Sequence, residues 1–291
     1  MKVLVLGASG LLGSNLISIL SEQEINFVGS IRETSNTKNF KPSIFNKLSI
    51  IENIYDPNVL IDFIQANNPT VVINCLSLPS LNFKSSNLKT FLDIYSYIPF
   101  LLDSICRKKN IKHIHISSDG VFSGKNGPYN ESHLPDPQDN YGLAKFYGEN
   151  STHFGLVIRT SIIGHSLNHN AGLLDWFLSQ EVSCKGYKDY IFSGMTAREL
   201  SKIITNYLLK DNDDLKGIIN IGGPSISKYD LLDNIAKVYN KDIKIEKEYG
   251  NKVNRSLDSS KFMKTSGYKQ QNWKSMLSDT FKNQANHSKD Q

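Results

Sequence analysis

Residues 2–13 read KVLVLGASGLLG, a short apolar run followed by three regularly spaced glycines. The run Lys2–Leu6 predicts a β-strand, and the helical spacing of apolar residues over Leu11–Leu20 predicts a helix. The glycines between them predict a tight turn. A strand, a turn and a helix in this order open a fold in which parallel strands alternate with helices.

The same alternation continues along the chain. Further strands are predicted at Phe27–Ile31, Thr70–Cys75, Ile111–Ile116, Leu156–Arg159 and Gly217–Ile221, and helices at Leu60–Ala66, Leu88–Lys109, Tyr141–Asn150, Leu173–Ser179, Ala197–Leu209 and Lys228–Tyr239. The strands are almost continuously apolar, which is typical of a parallel sheet covered by helices on both faces. We therefore predict an α/β fold with a Rossmann-type doubly wound parallel sheet.

Composition restricts the function classes. The chain has 291 residues, with 33 Lys and Arg against 28 Asp and Glu, and the scattered charges do not favour nucleic acid as a partner. The three cysteines lie far apart without histidines at ligand spacing, which favours a reducing cytoplasm over a disulfide framework or a zinc site. Glycines interrupt the N-terminal apolar run, and no later segment reaches the roughly 18 apolar residues of a membrane span, so we expect neither export nor a membrane partner.

The first turn predicts a cofactor site. Glycine keeps such a turn tight, lets a pyrophosphate approach the backbone N–H groups and lets the helix pack on the strand. The spacing is G-x-x-G-x-x-G rather than G-x-G-x-x-G, and a plain glycine-rich turn would also fit it. Its position after the first strand favours a dinucleotide site. The cofactor-binding residues predicted here are Gly7, Ser9, Gly10, Leu11, Leu12 and Gly13.

The end of the second strand bears on the type of cofactor. An acidic residue there would bind a free ribose 2′-OH, and a basic residue would favour a 2′-phosphate. Ser30 and Arg32 therefore favour NADP(H), while the adjacent Glu33 keeps NAD(H) open. Arg32 could also be an ordinary exposed loop arginine.

A second motif predicts hydride-transfer chemistry. Tyr141 and Lys145 lie one turn apart on a predicted helix, and a fixed cation is a common means of bringing a phenol closer to neutral-pH acid–base work. Ser118 and Asp119 follow a predicted strand whose carboxyl end should face the same crevice as the glycine turn. We predict Ser118, Asp119, Tyr141 and Lys145 as catalytic residues. The alternative is a surface Tyr and Lys at a helix start.

With these motifs the sequence resembles the extended short-chain dehydrogenase/reductases, and most closely the dTDP-4-dehydrorhamnose reductase group of sugar-nucleotide 4-ketoreductases. The resemblance covers nearly the whole chain and rests on GASGLLG, SSDGVFSG, PYNESHLPDPQDNYGLAKFYGE, VIRTS and NRSLDSSKF. It implies NADPH-dependent reduction of the 4-keto group of a nucleotide-activated deoxysugar, in the synthesis of cell-surface polysaccharide precursors. Ser118 would then polarise the C4 carbonyl and Tyr141 would protonate O4. Lys145 would lower the Tyr141 pKa and bind the nicotinamide ribose.

The resemblance also implies an NAD(P)-binding domain of residues 1–160 and 186–222 and a smaller C-terminal substrate-binding lobe of residues 161–185 and 223–291. It further implies contacts outside these motifs. It assigns cofactor contacts to Asn53, Ile54, Asn74, Cys75, Leu76 and Ser117, and substrate contacts to Val121, Phe122 and Arg255. Arg255 would bind a diphosphate, although a helix-capping surface arginine fits equally well. We expect a nucleotide-sugar substrate and no metal, and allow for a homodimer.

Departures from the family pattern leave alternatives open. Gly120 stands where the closest reductases have an aromatic residue and where dehydratases have glutamate, Ile162 replaces a tryptophan, and residues 75–77 replace a small apolar triplet. His165 and His169 lie where sugar contacts would be, but could be solvated loop residues. A sugar-nucleotide epimerase or dehydratase, and a non-catalytic NADP-binding regulatory subunit, therefore remain alternatives to the reductase.

Overall fold

The computed structural model describes residues 1–33, 40–78, 87–167, 172–210, 214–250 and 252–289, with side chains described to residue 283. Seven strands form the central sheet: β1 (Val3–Leu6), β2 (Phe27–Ile31), β3 (Leu48–Ile50), β4 (Val71–Asn74), β5 (Lys112–Ile116), β6 (Leu156–Arg159) and β11 (Ile218–Asn220). Their spatial order is β11-β6-β5-β4-β1-β2-β3, and every neighbouring pair is parallel. The predicted Rossmann-type sheet is confirmed, although β3 was not predicted.

The direction in which strands are added reverses between β1 and β4. The chain places β2 and β3 on one side of β1 and returns to place β4, β5, β6 and β11 on the other. At this boundary Leu6 pairs with Asn74, so the carboxyl ends of both strands lie side by side. In open α/β sheets the crevice at such a reversal is the usual ligand site.

Each face of the sheet is covered by its own apolar core. Val3 and Val5 pack with residues of the first helix on one face, while Leu4 and Leu6 pack with residues of later helices on the other. All four are fully buried. Burial of alternate residues on opposite faces explains why the strand is apolar throughout.

Eleven α-helices occur in the described residues: α1 (Leu11–Glu22), α2 (Pro42–Phe45), α3 (Pro57–Asn67), α4 (Leu88–Leu92), α5 (Ile98–Lys109), α6 (Asn140–Ser151), α7 (Leu173–Ser179), α8 (Ala197–Ile203), α9 (Lys228–Tyr239), α10 (Ser260–Ser266) and α11 (Trp273–Lys289). The single helix predicted over Leu88–Lys109 is interrupted by a π-helical turn at Asp93–Tyr97. Pro99 explains it, because proline has no N–H to donate to the Tyr95 carbonyl one turn earlier.

The remaining strands form small sheets: β7 (Ile162–Ile163), β8 (Ser183–Tyr187), β9 (Tyr190–Phe192), β10 (Met195–Thr196), β12 (Ile226–Ser227), β13 (Lys244–Glu248) and β14 (Val253–Asn254). Strand β8 pairs with β13, β9 lies between β12 and β14, and β7 pairs with β10. These short elements carried too little pattern to be predicted. The predicted boundaries of the two lobes stay a prediction. Among the helices described, none is long and apolar enough to cross a membrane.

Candidate active site

The glycine turn after β1 has the geometry that its sequence predicted. Gly7 has a φ of +81°, and a Cβ there would lie 3.0 Å from the carbonyl oxygen of Cys75, after β4. A Cβ on Gly13 would overlap the Gly7 carbonyl. Only glycine allows the turn, α1 and the end of β4 to approach this closely.

The N-terminus of α1 fits a diphosphate. Its N-cap is Gly10, no side chain caps the first turn, and the first turn carries no acidic residue. Uncapped N–H groups at a helix start bind anions, helped by the helix dipole. Ser9 and Leu11 are partly exposed there, whereas the Leu12 side chain is buried in the core, so Leu12 could contact a cofactor only through its backbone.

Ser30 supports the turn from the neighbouring strand. Its hydroxyl accepts a hydrogen bond from the Gly7 N–H at 3.1 Å, and its carbonyl accepts one from Ala8 at 2.9 Å. The side chain is only 2% exposed, so the structure gives Ser30 a role in shaping the turn. Arg32 and Glu33 follow β2 as exposed residues, which leaves both available to discriminate between cofactors.

The other predicted cofactor residues lie at neighbouring strand ends. Asn53 is exposed and Ile54 half-buried in the turn before α3. The Asn74 amide bonds to His115 Nδ1 at 3.2 Å and accepts from the Leu76 N–H at 3.2 Å. Cys75 is buried, and burial raises the pKa of its thiol to about 12. The thiol is therefore un-ionised at neutral pH.

The Ser117 hydroxyl belongs to a buried hydrogen-bonded group. Its hydroxyl is buried and donates to Glu149 at 2.6 Å, and Arg159 donates to the same carboxylate through Nε and Nη2 at 2.7–3.1 Å. Glu149 and Arg159 are only 3% and 2% exposed. The Ser117 hydroxyl thus holds a buried ion pair under the crevice, and the structure gives no support for a side-chain contact with the cofactor.

The structure brings Ser118 and Tyr141 together. Ser118 accepts a hydrogen bond from the Gly120 N–H at 3.0 Å and also bonds to the Tyr141 phenol. A Cβ on Gly120 would lie 3.1 Å from Tyr141 Cε1 and 3.2 Å from Ser118 Oγ. Asp119 adjoins them, and burial raises its pKa to about 6 against the opposing effect of Arg255. The site therefore offers two adjacent hydroxyls and a weakly acidic carboxyl.

Helix α6 positions Tyr141. Asp139 caps the helix by accepting from the Gly142 N–H at 2.7 Å. A Cβ on Gly142 would overlap the Gly120 carbonyl, and one on Gly148 would overlap the Tyr95 carbonyl that Pro99 leaves without its helical donor. The helix thus docks through two glycines onto the Ser118 turn and the π-helical turn.

Tyr95 connects Tyr141 with Lys145. Its ring meets the Tyr141 ring edge-on at 5.2 Å, and the Lys145 ammonium lies 4.5 Å from its centroid. Lys145 also donates to the Ile116 carbonyl at 2.7 Å, and burial lowers its pKa to about 8. Burial, followed by Tyr95, raises the pKa of Tyr141, while the Ser118 hydrogen bond lowers it. The expected lowering of this pKa by Lys145 stays a prediction.

The predicted substrate residues divide into two kinds. Val121 and Phe122 are 0% exposed, and Phe122 stacks on Tyr129 with centroids 4.0 Å apart. Their side chains pack in the core below the crevice, so a substrate contact would have to come from their backbone, and the predicted contact stays a prediction. Arg255 instead lies close enough to Asp119 to affect its pKa.

The structure adds residues that the sequence motifs did not identify. Lys228 and Tyr190 lie beside Arg255 and Asp119. His165 is held by Asp175 and Tyr239 at 2.8 and 2.9 Å, and His169 lies outside the described residues. Within the described residues, no group of three or more His, Cys, Asp or Glu side chains could hold a metal ion.

The sequence matches the RmlD substrate-binding domain family over residues 1–286, and the chain belongs to that family. The predicted membership of the extended short-chain dehydrogenase/reductases is thereby confirmed. The fold is shared with the dTDP-4-dehydrorhamnose reductase of Bacillus anthracis in complex with NADP. That structure has a TM-score of 0.77 and 18% identity, covering 97% of this chain and 99% of the other.

Two curated relatives have different names. A probable low-salt glycan biosynthesis reductase of Haloferax volcanii is 29% identical over 168 residues, which is 56% of this chain and 54% of the relative. The methionine adenosyltransferase 2 subunit beta of Bos taurus is 31% identical over 153 residues, which is 51% of this chain and 41% of the relative. The chain thus spans about half the length of the curated relatives it matches.

Proposed function

We propose that this protein is an NADPH-dependent reductase of the 4-keto group of a nucleotide-linked deoxysugar, acting in the synthesis of cell-surface polysaccharide precursors. The observation that carries the proposal is the contact between Ser118 and the Tyr141 phenol at the carboxyl end of β5. The names of the Bacillus anthracis and Haloferax volcanii proteins support the substrate class.

The glycine turn and the uncapped start of α1 fit the diphosphate of a nicotinamide cofactor. When bound, the cofactor would supply the hydride that reduces the sugar carbonyl at C4. Arg32 favours NADPH by pairing with a 2′-phosphate, and the neighbouring Glu33 would favour NADH by binding a free 2′-OH. The preference for NADPH rests on Arg32 alone, because the Ser30 hydroxyl is already bonded to Gly7.

The chemistry of the residues follows from their positions. The Ser118 hydroxyl would donate a hydrogen bond to O4 of the sugar and so polarise the carbonyl. The Tyr141 phenol would give its proton to O4 as the carbonyl becomes an alcohol. The Lys145 ammonium would bind the nicotinamide ribose and favour the phenolate that Tyr141 leaves behind. In this structure the Ser118 hydroxyl donates to Asp119 at 3.3 Å, and it would turn from Asp119 to O4 when the sugar binds.

NADPH oxidation with dTDP-4-keto-6-deoxyhexoses tests the reaction and the role of Tyr141 together. We expect the wild type to oxidise NADPH faster than NADH, and Tyr141→Phe to lose at least about 100-fold in kcat, the lower range for general acid catalysis. Equal rates in the two proteins would show that Tyr141 is not the acid. Stoichiometric NAD retained through purification would favour an epimerase, which needs no net redox change.

A second candidate is a non-catalytic NADP-binding subunit of another enzyme. It is favoured by the 31% identity to a methionine adenosyltransferase subunit, whose match covers about half of each chain. Ser118, Tyr141 and Lys145 are all present and converge, which favours the reductase. A stable complex with a second enzyme, together with no turnover on any nucleotide sugar, would support the subunit.

A further inference from the structure

The crevice beside Tyr141 contains two cationic side chains that have no part in the proposed hydride transfer. Arg255 follows β14, and Lys228 is the first residue of α9. Both interact electrostatically with Asp119 and with each other. Two basic side chains from different elements therefore converge on the wall of the crevice next to Ser118.

The aromatic ring of Tyr190 lies between these elements. The Lys228 ammonium lies 3.7 Å from the centroid of the Tyr190 ring, within the range of a cation–π contact. Arg255 hydrogen-bonds to the Tyr190 hydroxyl, and its backbone N–H donates to Ile191 at 2.8 Å. Tyr190 and its strand therefore hold both cations in place, which sets them apart from mobile surface lysines.

The charges in this group are unbalanced. Asp119 interacts with both cations, so one positive charge remains in excess among Asp119, Lys228 and Arg255. Asp139 interacts with Tyr190 beside them. The Nε atom of Arg255 is buried and has no hydrogen-bond partner among the described residues. Lys228 is largely buried, and its pKa is lowered by burial and by repulsion from Arg255, while Asp119 opposes both effects. An anion placed between the cations would reduce this repulsion and could satisfy the free donor.

We propose that Lys228 is a substrate-binding residue, which together with Arg255 binds the diphosphate of the nucleotide sugar. The identity of the anion rests on the proposed function, because a nucleotide sugar carries its negative charges on the diphosphate that links base and sugar. With Lys228 the site has two cationic groups. Arg255 offers a planar fork of donors, and Lys228 offers a compact charge held over an aromatic ring.

Binding of dTDP tests the proposal without turnover. Calorimetric titration would compare wild type, Lys228→Met, which keeps an unbranched apolar side chain, and Lys228→Arg. We expect Lys228→Met to weaken dTDP binding about tenfold, the order of one charge-assisted hydrogen bond. Lys228→Arg should restore most of the affinity, and the already weak binding of uncharged thymidine should not change.

Lys237→Met is the matched control. Lys237 lies on the same helix, two and a half turns from Lys228 and so on the opposite side, and pairs with Asp233 at 2.6 Å. The Lys237→Met variant should bind dTDP with the affinity of the wild type. Wild-type affinity for dTDP in Lys228→Met would overturn the proposal. An equal loss of dTDP and NADPH binding would also overturn it, because it would indicate a general structural defect.

The proposed reaction and this site can fail separately. The protein could bind dTDP in a way that depends on Lys228 and yet reduce no 4-keto sugar nucleotide. This result would support the diphosphate site and contradict the reductase. Turnover of the sugar nucleotide with a KM unaffected by Lys228→Met would support the reductase and contradict the site.

Discussion

Gly142 packs directly against Gly120: a Cβ on residue 142 would overlap the carbonyl oxygen of residue 120. Gly120 ends the hydrogen-bonded turn that begins at Ser118, and Gly142 follows Tyr141 at the start of α6. The approach of these two backbones therefore sets the distance between the Ser118 hydroxyl and the Tyr141 phenol. The geometry of the proposed catalytic pair depends on two residues that have no side chain.

Gly142→Ala should separate the pair. A methyl group at this position must push α6 away from the turn, and overpacking of this kind costs about 1–3 kcal/mol. We expect a lower free energy of unfolding in urea and a loss of NADPH oxidation larger than the loss of folded protein explains. Gly250→Ala is the control, because a Cβ there meets no atom within 4 Å. Unchanged activity in Gly142→Ala would show that the close approach does not position Tyr141.

Gly120→Ala should affect the chemistry more than the fold. Its Cβ would meet Tyr141 Cε1 at 3.1 Å and Ser118 Oγ at 3.2 Å, so the phenol has to shift by a few tenths of an ångström. The Tyr95 ring behind Tyr141 limits that shift. We expect kcat to fall about tenfold, because small displacements of catalytic groups are costly, with little change in Tm. A large drop in Tm with normal kcat would contradict this.

Lys145 should make stability depend on pH. Burial lowers its pKa from 10.5 to about 8, with Glu149 and Cys75 opposing. The unfolded chain therefore holds this proton at higher pH than the folded protein, so the free energy of unfolding rises as pH rises from about 8 to 10.5. Over this pH range the free energy of unfolding of the wild type should rise by about 3 kcal/mol relative to that of Lys145→Met.

Urea unfolding of both proteins at pH values across this window measures the Lys145 contribution, since the titration of other groups is common to both. Lys237→Met provides the control for removal of an exposed lysine. A constant difference between wild type and Lys145→Met would mean that the folded and unfolded pKa values of Lys145 are alike.

Removing one partner of the ion pair between Glu149 and Arg159 should lower the free energy of unfolding strongly. Both groups are almost fully buried, so Arg159→Met leaves a buried carboxylate without its guanidinium partner, at a cost of about 3–5 kcal/mol. Adding Glu149→Leu should recover much of that stability. The exposed pair Lys237–Asp233 should contribute little, because solvent screens it. Urea unfolding of the single and double variants measures each value, and additive losses would exclude coupling.

The sequence predicted the sheet well because each of its longer strands is apolar throughout and each is followed by a turn. The glycine turn, Ser118, Tyr141 and Lys145 could be proposed as site residues from the sequence because motif and position agreed, and their roles stay predictions. Gly120 could be recognised as unusual from the sequence, but its contact with Tyr141 depends on where α6 docks.

Other features depended on tertiary contacts that no local pattern records. The hydroxyls of Ser30 and Ser117 bond to Gly7 and Glu149, at 23 and 32 residues' separation, and the predicted cofactor contacts of both serines stay predictions. Tyr95 lies in a stretch predicted as ordinary helix, and only Pro99 hinted at the π-helical turn. Lys228 was predicted only as the first residue of a helix, because its neighbours Tyr190 and Arg255 lie far away in the sequence.

The pairing of β8 with β13 sets an order of assembly during synthesis. All seven strands of the central sheet have been made once Asn220 has been added, whereas β8 has no partner until Lys244–Glu248 follow. A nascent chain released between these points would contain the whole central sheet but leave the edge of β8 open. Unpaired strand edges recruit other chains. Premature termination in this window should therefore yield aggregating protein, while the strands that carry the glycine turn and Ser118 are already complete.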